Sequence, residues 1–351
     1  MLIYLHIPFC DSKCFYCAFN SYVDKFELKS RYMESIVVQL EEELKIFKPT
    51  KQSIDSLFIG GGTPSTIKPK LYKKFFEMLQ PYLKKDAEIT TEANPNSATK
   101  EWLSGMKNLG VNRISFGVQS FNDEKLKFLG RNHDKKRAKQ AVIQAFELGF
   151  QNISLDLIYG TKLDDKNILL NDLKIAKSLP INHISAYSLT IEENTPFSKT
   201  PEVSKDSLEL ANFFINEIKR YGFAQYEISN FGTYQSVHNL GYWKHEDYIG
   251  IGAGAVGFLE NRRFYPHFDI ERYIKEPIYK KVENLTQNDL HVEKIFLGLR
   301  SKVGIAKEEL NTKETSQAKI LLEDQKLRFK NDRYYNNNYF LSDELALFIT
   351  D

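Results

Sequence analysis

The sequence predicts an α/β protein: a partial (β/α)6-type TIM barrel followed by a small winged-helix-like α+β domain. Two observations predict the barrel. Short apolar runs alternate with stretches of helical spacing over the first two-thirds of the chain, and polar or glycine-rich residues follow several of the runs. A third observation, a change of composition near Tyr265, separates the C-terminal part. An open doubly wound sheet is the alternative fold.

Six runs have the length and the apolar or β-branched character of buried strands. We predict strands at residues 2–7, 56–59, 88–92, 113–118, 153–158 and 183–189. Because strands joined by helices pair in parallel, their carboxyl ends should share one rim, where barrel enzymes carry their chemistry. The chain up to Gly222 holds about six such units instead of eight, which favours a partial barrel.

The stretches between the strands repeat apolar residues at i, i+3, i+4 and i+7, which is typical of helices with one buried face. This spacing predicts helices over residues 33–47, 71–83, 138–148 and 208–218. The last of these is followed by Tyr221-Gly222, a natural helix end.

Residues 266–287 carry two prolines and many charges without a clear period, which indicates a linker. Two helix faces, a hairpin and a last helix then follow in the order of a winged-helix module. We therefore predict a barrel at 1–232, a motif segment and linker at 233–286, and a lid domain at 287–351.

Composition narrows the classes of partner. The formal net charge of +2 and the lack of a basic helix face in the C-terminal part argue against nucleic acid. No apolar run approaches the roughly 20 residues that cross a bilayer, and the N-terminus does not resemble a signal peptide. We expect a cytoplasmic protein and leave open a peripheral contact with a membrane.

All three cysteines lie within one C-x3-C-x2-C segment, as Cys10, Cys14 and Cys17. Thiolates prefer iron–sulfur clusters, zinc or copper(I). There are two alternatives. One is a zinc site that His6 completes, since a closed zinc site needs four ligands. The other is that the three thiols are inert. A 4Fe–4S cluster held by three thiolates leaves one iron open to a small molecule such as S-adenosylmethionine. The placement directly after a strand favours the cluster, and the spacing resembles the signature of the radical S-adenosylmethionine superfamily.

Further polar and glycine residues lie at the predicted strand ends. Residues 60–64 read Gly-Gly-Gly-Thr-Pro; a tight turn explains one or two glycines, whereas the whole run favours a ligand. Glu92, Gln119, Arg131 and Asp156 lie at or after later strands. Asp156 interrupts an apolar run, so its carboxylate needs a partner, either a ligand or Arg131; a structural ion pair is the alternative.

Residues 238–243 read His-Asn-Leu-Gly-Tyr-Trp and precede a glycine-rich run at 248–255. A lone histidine is more often a hydrogen-bonded residue than a ligand. Imidazole is nevertheless a common axial ligand of haem iron, and aromatic rings pack well on a porphyrin face. The residues alone therefore leave haem or tetrapyrrole binding as an alternative.

Taken together, these motifs resemble the oxygen-independent coproporphyrinogen III oxidase family of the radical S-adenosylmethionine superfamily. The resemblance covers essentially the whole chain and rests on residues 4–10, 60–64, 117–121, 156–160 and 238–243. Because the H-N-x-x-Y-W motif is matched in full, the chain is most similar to the haem chaperones of that family.

The resemblance implies a cluster on the three cysteines, with bound S-adenosylmethionine. It places Tyr4 and Tyr16 beside that cofactor. It also implies that the cofactor pocket is lined by Gly61, Gly62, Thr63, Glu92, Gln119, Arg131 and Asp156. In the oxidase a second S-adenosylmethionine uses some of these positions. Haem is expected at His238, with Asn239, Tyr242 and Trp243 nearby.

Two departures separate the chain from the oxidase. The oxidase has a fourth cysteine where this chain has Phe19, and it has an N-terminal extension before the cluster motif. We therefore predict a haem chaperone that passes haem to haem-requiring proteins such as respiratory enzymes and needs a reductant for its cluster. The alternatives are the oxidase, which decarboxylates coproporphyrinogen III to protoporphyrinogen IX, and another radical enzyme that modifies haem. A homodimer is left open.

Overall fold

The computed structural model describes all 351 residues and contains two β-sheets. The large sheet has 11 strands. Its strands are β1 Leu2–Ile7, β2 Ile54–Gly61, β3 Leu83–Ala93, β4 Arg113–Gln119, β5 Asn152–Tyr159, β6 His183–Ser188, β7 Asn230–Gly232, β8 Tyr248–Ile251, β9 Gly257–Leu259, β10 Arg262–Pro266 and β11 Lys280–Asn284. The small sheet consists of β12 Ile305–Ala306, β13 Leu327–Lys330 and β14 Arg333–Asn336.

Strands β1 to β6 pair in parallel and in chain order, so their carboxyl ends form one rim. Strand β8 adds to the free side of β1 in parallel, whereas β7 and β9 to β11 pair antiparallel. The sheet keeps two edges, β7 and β11, because no pairing joins them. The predicted partial barrel of six β/α units is confirmed.

Twelve α-helices accompany the sheets. They are α1 Lys29–Phe47, α2 Pro69–Leu79, α3 Lys100–Asn108, α4 Asp123–Phe128, α5 Lys135–Glu147, α6 Lys166–Lys177, α7 Leu208–Arg220, α8 Val237–Trp243, α9 Ile270–Lys275, α10 Gln287–Leu299, α11 Thr312–Glu323 and α12 Ser342–Thr350. The apolar spacing in α1 buries Met33, Ile36, Val37 and Leu40 against the sheet, as predicted. Helix α1 ends at Phe47, and the next residue, Lys48, adopts the left-handed conformation. No helix in the chain is long and apolar enough to span a bilayer.

The C-terminal part has a hydrophobic core of its own. Side chains of α10, α11, α12 and the small sheet bury one another in a cluster separate from that of the barrel. The order helix, strand, helix, hairpin confirms the winged-helix-like architecture. Backbone hydrogen bonds from Ile228 to Arg300 and from Lys302 to Tyr226 join this part to the barrel. The predicted domain boundaries stay predictions.

The interpretation of residues 266–287 as a linker is wrong. Helix α9 lies in this stretch, and β11 pairs with β10 at the edge of the large sheet. Strand β11 shows no apolar period because it is an edge strand with most of its side chains exposed to water. Lys280 of β11 also contacts α1, where its Nζ lies 2.6 Å from Glu43 Oε1.

A buried ion pair joins α4 to the segment after β5. Lys125 Nζ lies 2.6 Å from Asp164 Oδ1, and both side chains are fully buried. Lys125 also donates to the carbonyl of Ile158, and Asp164 accepts from the backbone and hydroxyl of Thr161. This network fixes the carboxyl end of β5 beside α4.

We expect Lys125→Met to lower the free energy of unfolding by about 3–5 kcal/mol, because it leaves the Asp164 carboxylate buried without a cation. The matched control is Lys135→Met, which removes an exposed lysine 4.0 Å from Asp123 and should change stability by less than about 1 kcal/mol. Denaturant unfolding of both variants measures the difference. Equal losses would contradict the assigned role of the buried pair.

Candidate functional site

The three cysteines lie in a loop that follows β1 at the rim of the barrel. We call residues 8–22 the cysteine loop. Its base is closed by two backbone hydrogen bonds, from Tyr22 to Pro8 at 2.8 Å and from Cys10 to Tyr22 at 3.0 Å. Cys10 is buried, Cys14 and Cys17 are partly exposed, and none forms a disulfide. The loop therefore presents all three sulfurs as free thiols.

Two donors lie beside the thiols. The Thr63 hydroxyl is 3.4 Å from Cys10 Sγ, and Arg131 Nη1 is 3.3 Å from Cys14 Sγ. Arg131 is held in place by a second hydrogen bond, from Nη2 to the carbonyl of Gly117. Burial raises the pKa of the Cys10 and Cys17 thiols. A cation and a hydroxyl next to the sulfurs stabilise thiolate ligands, so the residues present fit an iron–sulfur cluster.

A zinc site completed by His6 is not supported by the geometry. His6 Nδ1 is 3.0 Å from the Tyr4 hydroxyl and Nε2 is 2.8 Å from the carbonyl of Asn20, so both ring nitrogens are already engaged. No three or more His, Cys, Asp or Glu side chains surround one point closely enough to hold a single metal ion. A cluster spreads its ligands over three different irons, so it does not need such convergence.

A cavity of about 450 Å³ opens at the rim beside the cysteine loop. Its walls combine the three cysteines and Phe19 with nine of the residues predicted to bind S-adenosylmethionine or haem. These are Tyr16, Gly61, Gly62, Thr63, Glu92, Gln119, Arg131, Asp156 and Asn239. The parallel register brings Gly61, Glu92 and Gln119 together, since they lie at the carboxyl ends of successive strands. Tyr16 comes from the cysteine loop and Asn239 from α8.

Sequence reasoning missed several further polar lining residues, among them Arg113, Ser115, Ser185 and Tyr187. Arg113 is 2 % exposed, and its Nε has no partner. The signal that would have found Arg113 and Ser115 is their alternation with apolar Ile114 and Phe116 along β4, which turns polar side chains into the barrel.

Two partly buried carboxyl groups, Glu92 and Asp156, face the cavity. Burial, with the charge of Asp156 as a second cause, raises the pKa of Glu92 to about 8. Burial also raises the pKa of Asp156, whose Oδ1 accepts a hydrogen bond from Ser115 at 3.0 Å. Arg131 does not pair with Asp156, because it contacts Cys14 and Gly117 instead. A cavity with two raised carboxyl pKa values suits a cationic ligand, which would draw both groups back to their charged form.

The glycines at 60–64 are required by packing within the protein. Gly61 has φ +108°, and a Cβ there would lie 2.5 Å from the His6 ring. A Cβ on Gly62 would lie 2.9 Å from the carbonyl oxygen of Ile7 and 3.0 Å from the backbone nitrogen of Phe9. The loop thus packs directly on β1 and the cysteine loop. A ligand is not needed to explain these two glycines, although both line the cavity.

Tyr4 and most of the motif at 238–243 do not reach the cavity. His238 is buried, its Nδ1 lies 2.8 Å from the Ser56 hydroxyl, and its ring stacks on Phe58 with centroids 5.2 Å apart. Since Ser56 and Phe58 share one face of β2 and Phe58 lines the cavity, His238 lies beneath the cavity floor. Burial, with the charge of Arg113 as a second cause, lowers the pKa of His238 to about 3.

The other nitrogen of His238, Nε2, is buried without a partner. Tyr242 packs edge-on against the His238 ring, and the indole nitrogen of Trp243 is buried beside the carboxyl group of Glu227. The Tyr4 hydroxyl donates to Nδ1 of His6, and the Tyr4 ring stacks beside Phe58. Of the four motif residues predicted to bind haem, only Asn239 lines the cavity.

Comparison with known proteins gives four likenesses. Residues 4–170 match the model of the radical SAM superfamily. Heme chaperone HemW of Bacillus subtilis is 35% identical, over 88% of this chain and 86% of the relative. Heme chaperone HemW of Escherichia coli is 40% identical, over 73% of this chain and 69% of the relative. The radical SAM enzyme coproporphyrinogen III oxidase HemN from Escherichia coli superposes with a TM-score of 0.82, at 18% identity, over 99% of this chain and 90% of the other. At that identity the superposition supports the fold alone.

We expect Gly61→Ala to destabilise the protein more than Gly110→Ala. Both glycines have a similar positive φ, +108° and +104°, so both variants lose about 1–3 kcal/mol to backbone strain. Only Gly61 faces a clash, because the nearest atom to a Cβ at Gly110 is 3.7 Å away. The clash with His6 should add about 1–3 kcal/mol. Unfolding of both variants measures the difference, and equal losses would show that the His6 contact is not restrictive.

Proposed function

Because the chain belongs to the family of the heme chaperone HemW, within the radical SAM superfamily, we propose that it binds haem and transfers it to haem-requiring proteins. The observation that carries this proposal is the likeness to curated HemW relatives over most of the chain. The apo-acceptors we propose are haem-requiring respiratory enzymes.

Membership of the radical SAM superfamily implies a 4Fe–4S cluster and S-adenosylmethionine. We propose that Cys10, Cys14 and Cys17 hold the cluster. The cofactor pair supplies one-electron chemistry when it is bound and reduced. Tyr16, the glycines at 61 and 62, Thr63, Glu92, Gln119, Arg131 and Asp156 stay predicted contacts of S-adenosylmethionine, and their positions around the cavity support that prediction. Tyr4 stays a prediction too, although its hydroxyl contacts His6.

The size of the cavity bears on where haem can bind. About 450 Å³ is towards the lower end of the roughly 300–1,000 Å³ typical of ligand pockets. If the cluster and S-adenosylmethionine occupy this volume, haem must bind elsewhere. The prediction that His238 ligates haem stays a prediction. In the present conformation its Nε2 is sealed from solvent, so haem reaches it only if α8 leaves its place against β2.

We expect the full chain, reconstituted anaerobically with its cluster, to bind haem with one Soret band that saturates at a fixed stoichiometry. Mixing the loaded protein with an apo-haem acceptor should shift that band to the spectrum of the acceptor. Absorbance spectroscopy follows both steps. Failure to bind haem, or to release it to any acceptor, would contradict the chaperone function.

The same preparation distinguishes the chaperone from the oxidase. Coproporphyrinogen III is added with S-adenosylmethionine and a reductant, and protoporphyrinogen IX and 5′-deoxyadenosine are measured in one tube. We expect no decarboxylated product. Stoichiometric product formation would establish the oxidase instead, and consumption of haem in a parallel tube would indicate a haem-modifying enzyme.

We also predict that Glu92 releases a proton when S-adenosylmethionine binds. With a pKa of about 8, the carboxyl group is mostly protonated at pH 7 in the free protein, and a cationic ligand favours its ionised form. Affinity should therefore rise with pH up to about pH 8 and then level off. Calorimetry in buffers of different ionisation enthalpy should show up to about one more proton released by the wild type than by Glu92→Gln at pH 7. Equal proton release would contradict the assignment of Glu92 to the cofactor pocket.

A further inference from the structure

Arg113 is a buried cation without a counter-charge. Its side chain belongs to the first residue of β4 and is 2 % exposed, and a guanidinium stays charged in proteins. It makes no ion pair and a single hydrogen bond, from Nη1 to the Thr90 hydroxyl at 3.4 Å. Nε is buried without a partner. Because a buried charge is stable only when it is paired, the free protein leaves this cation unsatisfied.

The carboxyl groups inside the barrel are already engaged. Glu88 accepts four hydrogen bonds, which take up the roughly four lone-pair sites of a carboxylate. Asp156 accepts from the Ser115 hydroxyl at 3.0 Å. Glu92, with a pKa raised by burial to about 8, is mostly protonated at pH 7. None of the three donates a counter-charge directly to Arg113.

One edge of the Arg113 guanidinium is free to bind a ligand. Nη2 makes no hydrogen bond and, unlike Nε, is not sealed, and the residue lines the cavity. Arg300 shows what this edge binds, because its Nε and Nη2 each donate at 2.8 Å to a different carboxylate oxygen of Asp343. Such two-point pairing is specific for planar anions such as a carboxylate.

Arg113 lies at the end of the cavity away from the cysteines, which we call the inner end. The carbonyl of Gly117, further along β4, holds Arg131 beside Cys14. Four residues of strand separate Arg113 from Gly117, which corresponds to about 13 Å. A molecule of S-adenosylmethionine that binds a cluster through its amino-acid end therefore keeps its own carboxylate away from Arg113.

The guanidinium is also close to the motif on α8. Burial first, and the charge of Arg113 second, lower the pKa of both His183 and His238. The same side chain thus lines the cavity and acts on the imidazole beneath the cavity floor. A ligand group held by Arg113 would lie near the predicted haem motif.

We propose that Arg113 binds the carboxylate of a second ligand molecule at the inner end of the cavity, with Nη2 as the first donor. Two molecules of the proposed function carry a carboxylate on a short aliphatic chain: haem, through its propionates, and a second S-adenosylmethionine. Assignment to haem rests on the proposed function, whereas the pairing with a carboxylate does not. Because this subsite takes only a carboxylate, the iron stays with the motif at 238–243, as predicted.

The first test compares the unfolding midpoints of Arg113→Met and Lys125→Met. Both variants remove a buried cation, but only Lys125 is paired in the free protein. We expect Arg113→Met to unfold at the wild-type midpoint or above it, and Lys125→Met to unfold well below it. Equal losses would make Arg113 a structural cation and would overturn the proposal.

The second test titrates ferric protoporphyrin IX and its dimethyl ester, in one detergent buffer, into the anaerobically reconstituted full chain. The ester keeps the iron and the macrocycle but lacks both carboxylates. We expect the wild type to prefer the diacid by about 10- to 100-fold, the worth of one hydrogen-bonded charge pair. Arg113→Met should bind both forms about equally, and Arg113→Lys should regain part of the preference. The control Arg300→Met removes a partly exposed carboxylate pair elsewhere and should keep the full preference.

Equilibrium dialysis with radiolabelled S-adenosylmethionine distinguishes the two sources of the carboxylate. If Arg113→Met loses the preference for the diacid and binds as many S-adenosylmethionine molecules as the wild type, the carboxylate is a haem propionate. If it keeps the preference and binds one molecule fewer, the subsite belongs to a second S-adenosylmethionine. If neither changes, the subsite is excluded and the chaperone function stands. If the wild type binds no haem, the chaperone function is excluded and the S-adenosylmethionine count alone decides the subsite.

Discussion

The imidazole of His6 is the contact on which the cofactor end of the barrel depends. Its Nδ1 contacts the Tyr4 hydroxyl, its Nε2 holds the carbonyl of Asn20, and its ring fills the space that a side chain at Gly61 would need. Burial lowers the pKa of His6, so the ring is neutral and donates from Nε2 alone at physiological pH. One side chain thereby sets the relative positions of β1, the cysteine loop and the glycines at 60–64. Asn20 extends the connection to the segment after β10.

A second buried group fixes the opposite end of the barrel. The Glu88 carboxylate accepts hydrogen bonds from the Tyr234 and Ser236 hydroxyls and from the backbone nitrogens of Val237 and His238. A carboxylate at a helix N-terminus is stabilised both by these donors and by the helix dipole. Helix α8, with its histidine and aromatic residues, is therefore anchored inside the barrel. Releasing it would break these four hydrogen bonds and the contact of His238 with Ser56.

The sequence predicted the barrel well because buried parallel strands are short apolar runs with helices between them. Strand β1 has the predicted bounds, whereas β3 begins at Leu83 instead of residue 88, because its first part is charged and exposed. The cavity beside the cysteine loop was predictable from polar residues at strand ends, since parallel strands share one rim. The position of His238 was not, because its partner Ser56 lies 182 residues away and only the folded sheet brings them together. Helix α9 and strand β11 were also hidden, since residues 266–287 have the composition of a linker.

The confinement of every cysteine to one loop has a practical consequence for the biochemistry of this protein. The chain outside residues 10–17 is free of thiols. Alkylation by a thiol reagent therefore reports on this loop alone, without mutagenesis of background sites. Because Cys14 and Cys17 are partly exposed and Cys10 is buried, the unloaded protein should react in two steps, with two sites ahead of the third. Alkylation would thus assay the occupancy of the cluster proposed on this loop, including its loss to oxygen.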